Sequence, residues 1–118
     1  MRNDAYIPEG WHVATLSELS GCITSGATPE AGNPRYYTPT AGHPFAKIED
    51  LTKAEGHELH DCGLEITDAA LRETAAKLYP VGTILVSMYG TIGLVKMCGR
   101  PLSANQALCA LLPPFDCD

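Results

Sequence analysis

The chain has 118 residues, 45% of them apolar, and a formal net charge of −6. That is enough for one domain with a core of its own, and too apolar for wholesale disorder. No apolar run nears the roughly 20 residues of a membrane span, and the opening Met1-Arg2-Asn3-Asp4 leads into no secretory signal, so a soluble cytoplasmic domain is expected.

Near the start, Ile7-Pro8-Glu9-Gly10-Trp11 reads as a turn leading to the single tryptophan. Thr15 and Glu18 have capping-box spacing, which predicts one helical turn over Leu16 to Leu19. Cys22-Ile23-Thr24 reads as a short strand. From Ser25 to Gly42, glycine, threonine and three prolines (Pro29, Pro34, Pro39) predict a long loop. Phe45-Ala46-Lys47-Ile48 alternates apolar and polar side chains and reads as a strand. Thr67 is placed to cap a helix starting at Asp68, whose charge suits the helix dipole. Pro80-Val81-Gly82 is a turn, and Thr83 to Tyr89 is the strongest strand signal in the chain. Gly90-Thr91-Ile92-Gly93 turns the chain, Leu94 to Met97 is the return strand, and Ala107 to Leu112 is a last buried strand closed by Pro113-Pro114. The pattern predicts an α+β domain, rich in strand with short helices.

Charge is unevenly spread. Glu49 to Glu73 holds eight acids and two bases, which is the whole net charge. Ala76 to Phe115 holds Lys77, Lys96 and Arg100 and no acid, so a mildly basic face beside an acidic lobe is expected. The five cysteines (Cys22, Cys62, Cys98, Cys109, Cys117) form no C-x-x-C pair, which fits a reducing compartment. Cys109 reads as a small core residue.

No motif supplies a catalytic centre. Asn33-Pro34-Arg35-Tyr36 is like the tetrapeptide with which amino-methyltransferases hold adenine, but no glycine-rich cofactor turn precedes it, so it reads as a turn. His57-Glu58-Leu59-His60-Asp61-Cys62 clusters metal-capable side chains without a second cluster at zinc spacing, and reads as a solvated acidic loop. Gly90-Thr91-Ile92-Gly93 is neither a phosphate loop nor, between strands, a KH loop. Gly90 and Gly93 are assigned the structural role of a hairpin turn with positive φ. Ser87, Tyr89 and Thr91 would offer hydroxyls beside it. Asn105-Gln106 either satisfies backbone groups at a strand entrance or reads adenine, whose N6 and N7 match a carboxamide.

Taken in order, several segments resemble the target recognition domain of the DNA specificity subunit of type I restriction–modification systems. They are Ile7 to Trp11, Thr15 to Leu19, Ser25-Gly26-Ala27-Thr28-Pro29, Asn33 to Tyr37, Lys47 to Leu51, Ile66 to Leu78, Pro80 to Leu85, Ser87-Met88-Tyr89-Gly90-Thr91-Ile92-Gly93 and Ala104-Asn105-Gln106-Ala107. The resemblance implies a non-catalytic reader of one half of a split double-stranded DNA target. It implies methyltransferase and restriction subunits as partners, with S-adenosylmethionine and ATP bound there and no cofactor in this chain. The sequence stops at Asp118 without the long spacer helix or second domain of that family, so a fragment or shortened form of a specificity subunit is expected. The candidate DNA contacts are Lys47, Lys77, Lys96 and Arg100 for phosphates, with Tyr89, Thr91, Asn105 and Gln106 near bases or backbone. The competing reading is a shortened interaction or regulatory piece that does not bind DNA, motivated by the missing helix and the acidic charge.

Overall fold

The computed structural model describes residues 22–88 and 93–114. The expected helical turn at Leu16 to Leu19 and residues Tyr89, Gly90 and Thr91 lie outside them. Among the described residues, nine strands form two sheets. The five-stranded sheet has the order β1 (Cys22–Ser25), β9 (Leu108–Leu112), β6 (Ile84–Ser87), β7 (Val95–Cys98), β4 (Glu58–Leu59). The four-stranded sheet has the order β2 (Tyr37–Thr38), β5 (Leu64–Ile66), β3 (His43–Ala46), β8 (Ser103–Ala104). Two six-residue helices, α1 (Ile48–Lys53) and α2 (Asp68–Glu73), complete an α+β fold.

The central strands form where apolar and β-branched residues run together. In β6, Leu85 and Ser87 are fully buried while Ile84 and Val86, on the opposite face, are half-buried, as the two-residue period of a strand requires. β9 lies between β1 and β6, both antiparallel, and its Leu108 and Ala110 carry the core. Ala46, Leu51, Leu59, Tyr79, Leu85, Leu102 and Leu108 belong to one cluster. Phe45, Ile66, Ala70 and Ala76 form a second. Successive residues of β3 face opposite ways, so Ala46 enters the first cluster and Phe45 the second. The Tyr37 ring meets Phe45 edge-on, with centroids 6.3 Å apart.

Two expectations are corrected. Ile48 does not extend a strand; it opens α1. The backbone N–H of Lys47, in extended conformation, donates to Asp50 Oδ2 at 2.8 Å, so a carboxylate three residues on takes up the amide at the helix entrance. The other Asp50 oxygen accepts from the Gly63 N–H at 2.8 Å, tying α1 to the approach to β5. His57–Cys62 is solvated as expected, with His57, Glu58, His60 and Asp61 exposed, but it is not all loop. Glu58–Leu59 pairs in parallel with Met97–Cys98, through Met97 N–H to His57 O (2.8 Å) and Gly99 N–H to Leu59 O (2.9 Å). Leu59, the one aliphatic side chain among these acids, is buried and anchors the strand.

The expected loop over Ser25 to Gly42 is largely present, interrupted by β2. Thr67 caps α2 as expected, its hydroxyl accepting from the Ala70 N–H at 3.2 Å.

Candidate nucleic-acid interface

Four segments meet at one end of the sheets. β8 runs into Asn105, whose N–H donates to Ala46 O at 3.0 Å, so Lys47 stands immediately beside it. Asn105 Oδ1 accepts from the Ala107 N–H at 3.0 Å, and Asn105 O accepts from the Leu108 N–H at 3.2 Å. These bonds fold Asn105–Ala107 into a tight side-chain-closed turn with Gln106 exposed at its tip. The end of β6 lies against it, Met88 N–H donating to Ala107 O at 2.8 Å. β6 and β7 are joined at this end by Ser87 N–H to Leu94 O (2.9 Å) and Leu94 N–H to Ser87 Oγ (2.9 Å), with Gly93 at φ 93°.

The fourth segment leaves β1. Gly26 N–H donates to Leu108 O and Ala27 N–H to Ala104 O, both at 3.1 Å. A Cβ on Gly26 would stand 2.2 Å from the carbonyl oxygens of Ala104 and Asn105, so only glycine allows this approach. Thr28 then donates its hydroxyl to Gln106 Oε1. Further along, Tyr37 donates its hydroxyl to Pro29 O at 2.7 Å, and the Arg35 guanidinium forms a two-pronged pair with Glu73, Nε reaching Oε1 at 2.8 Å and Oε2 at 3.0 Å. That pairing holds the Glu73 carboxyl below its ordinary range, chiefly through the hydrogen bond from Arg35.

The sequence-derived contacts therefore separate. Lys47, Asn105 and Gln106 come together with Met88 at the end of β6, while Tyr89 and Thr91 lie outside the described residues. Lys47 Nζ is paired with Glu49 Oε1 at 3.1 Å. Lys77 is exposed on the segment leading to Tyr79, which exchanges backbone hydrogen bonds with Leu102 at 2.8 and 3.2 Å. Lys96 directs its ammonium to the carbonyl oxygens of Ala54, at 3.0 Å, and Gly56, which leaves one N–H free for anything else. Arg100 lies beyond the end of β7 opposite Gly93, the four residues of the strand between them spanning about 10 Å at about 3.3 Å per residue. The mildly basic face is thus not assembled as one surface: β7, which carries Lys96, pairs with the acidic β4.

A hollow of about 450 Å³ beside α1 and β4 is lined by Asp50, Glu55, Glu58 and Asp61 with Lys53 as its one lysine. It would repel phosphates. Among the described residues, no group of three or more His, Cys, Asp or Glu side chains is placed to hold a metal ion. Thr28 and Gly26 were not among the sequence-derived contacts; nothing local signals a pairing across the 78 positions that separate Thr28 from Gln106.

Fold and site together define a small α+β module that presents polar turns from one end. The chain is a homologue of the specificity subunits of type I restriction enzymes. It is 32% identical over 107 residues to the type I restriction enzyme HindI specificity subunit of Haemophilus influenzae, covering 91% of this chain and 22% of that one. It is 28% identical over 107 residues to the MjaIX specificity subunit of Methanocaldococcus jannaschii, covering 91% and 24%. The chain thus spans about a quarter of the length of the curated relatives it matches. Its fold is similar to the crystal structure of an HsdS subunit from Thermoanaerobacter tengcongensis, with a TM-score of 0.66 at 20% identity over 93% of this chain and 25% of that one. It is also similar to a chain from a structure describing complex assembly and conformational transition of the type I R-M system, with a TM-score of 0.68 at 21% identity over the same shares. No protein-family model matches the chain.

Proposed function

We propose that this chain is a DNA target recognition module of a type I restriction–modification system, reading one half of a split target and performing no chemistry itself. The observation that carries the reading is the convergence of Asn105–Gln106, Lys47, Thr28 and the end of β6 at one end of a fold similar to that of specificity subunits. Lys47 and Lys77 supply phosphate contacts, and Gln106 with the hydroxyls of Tyr89 and Thr91 faces bases or backbone. Arg100 and the remaining N–H of Lys96 would contribute only where DNA extends past this end. Methyl transfer and restriction belong to partner subunits, which bind S-adenosylmethionine and ATP, and the assembly works in the cytoplasm. Among the described residues no helix is long and apolar enough to cross a membrane.

The test is titration of the chain with duplexes that carry or lack the target, at several salt concentrations. Binding should be weak, with log affinity falling against log salt at a slope of about −2 for the two lysine–phosphate contacts. Incubation of the chain alone with DNA and labelled S-adenosylmethionine should transfer no methyl group. The acid-lined hollow and the net charge favour one other reading, a regulatory piece that binds protein. A slope near zero would put that reading first.

A further inference from the structure

Gln106 is an exposed side chain with several rotatable bonds at the tip of a turn, and such a group contacts one base reproducibly only if something holds it. The structure supplies a holder. Thr28 is β-branched, with a stiff χ1, and its hydroxyl donates to Gln106 Oε1. Its own backbone is fixed on both sides. Upstream, Gly26 and Ala27 are bonded to Leu108 and Ala104, with no room for a Cβ on Gly26. Downstream, Pro29 is buried and its carbonyl accepts from the Tyr37 hydroxyl.

With one lone pair of Oε1 taken by Thr28, Gln106 keeps its second Oε1 lone pair and two Nε2 hydrogens. That is the adjacent acceptor and donor which match N6–H and N7 on the major-groove edge of adenine. We propose that Thr28 is a specificity-determining positioning residue: it orders the Gln106 carboxamide so that the pair reads an adenine as a unit. The inference rests on the DNA-recognition reading and adds the residue that aims the contact.

The experiment is selection of bound sequences from a randomised duplex library at low salt. The full chain is used as wild type, Thr28→Val, Thr28→Ser, Gln106→Ala and the Val/Ala double variant. A bidentate carboxamide–adenine contact accounts for about fivefold or more of discrimination, and Thr28→Val, which keeps shape and removes the hydroxyl, should lose most of it at one position of the target. Overall affinity should fall less than that preference does. Thr28→Ser should restore the preference, and the double variant should match Gln106→Ala alone. In the free protein, the Gln106 side-chain amide resonances should be dispersed in the wild type and collapse to solvent-exposed values in Thr28→Val. The proposal is overturned if Thr28→Val acts equally in the Gln106→Ala background, if it leaves the adenine preference intact, or if the wild-type amide is already disordered. A preference that survives Gln106→Ala unchanged overturns this inference alone. The absence of any preference in the wild type overturns the recognition reading with it.

Discussion

At the scale of single residues, the site depends on Gly26 and Gly93 and on the charges of Lys47 and Lys77. Alanine at Gly26 would drive its Cβ into two backbone carbonyls, which must part for it to fit. Gly26→Ala should therefore cost about 1–3 kcal/mol, seen as a lower urea midpoint with an unchanged slope. Gly93 stands at φ 93° ahead of β7, and Gly93→Val should cost more than about 1 kcal/mol in the same assay. Lys96 behaves differently from the other candidate lysines because its charge is held by the carbonyls that follow α1. Lys96→Met should lower the melting temperature while leaving the salt slope of DNA binding almost unchanged. Lys47→Ala and Lys77→Ala should each weaken all duplexes alike and flatten that slope by about one.

At the scale of elements, helix α2 is fastened from two sides. Arg35 bonds Glu73 at its end, and His43 on β3 lies 2.7 Å from Asp68 at its start. Both carboxyls are held below their ordinary values, Glu73 chiefly by the hydrogen bond from Arg35 and Asp68 chiefly by that from His43. A carboxyl with a depressed folded pKa stabilises the fold above its unfolded pKa, and this contribution disappears as pH falls through the folded pKa. Thermal melts of wild type and Glu73→Gln should therefore differ at neutral pH and converge as the pH drops below about 4. Because both partners are exposed, the neutral-pH difference should be small and should shrink further in salt. Divergence of the two proteins on acidification would show that the pair does not hold α2.

At the scale of the whole molecule, the two sheets share the core through β3, and burial sets the chemistry of the cysteines. Cys98 lies fully inside and Cys62 packs against the same cluster, and burial pushes both thiols up to about 12. The thiolate is the reactive form, so neither should react at neutral pH in the folded protein. Mass spectrometry after a brief iodoacetamide treatment should find the exposed Cys22 labelled, with Cys62 and Cys98 unlabelled until denaturant is added. Early labelling of Cys98 would mean that β4 and β7 separate readily.

The sequence by itself determined the features that depend on near neighbours. Runs of apolar and β-branched residues marked β6, β7 and β9; Thr67 marked the start of α2; Pro80-Val81-Gly82 marked a turn; and the mixture of these predicted an α+β domain. Asn105 and Gln106 stood out because a carboxamide carries its chemistry wherever the chain places it. Only the tertiary structure decided which residues meet. It paired the acidic Glu58–Leu59 with Met97–Cys98, let Asp50 start a helix where alternation suggested strand, spent Lys96 on backbone carbonyls, and set Thr28 against Gln106. Each of these is a contact between segments separated in the chain, or a competition that such a contact settles. Local periodicity has no access to them, because hydrogen-bond partners and close approaches exist only once the sheets have brought distant backbone together.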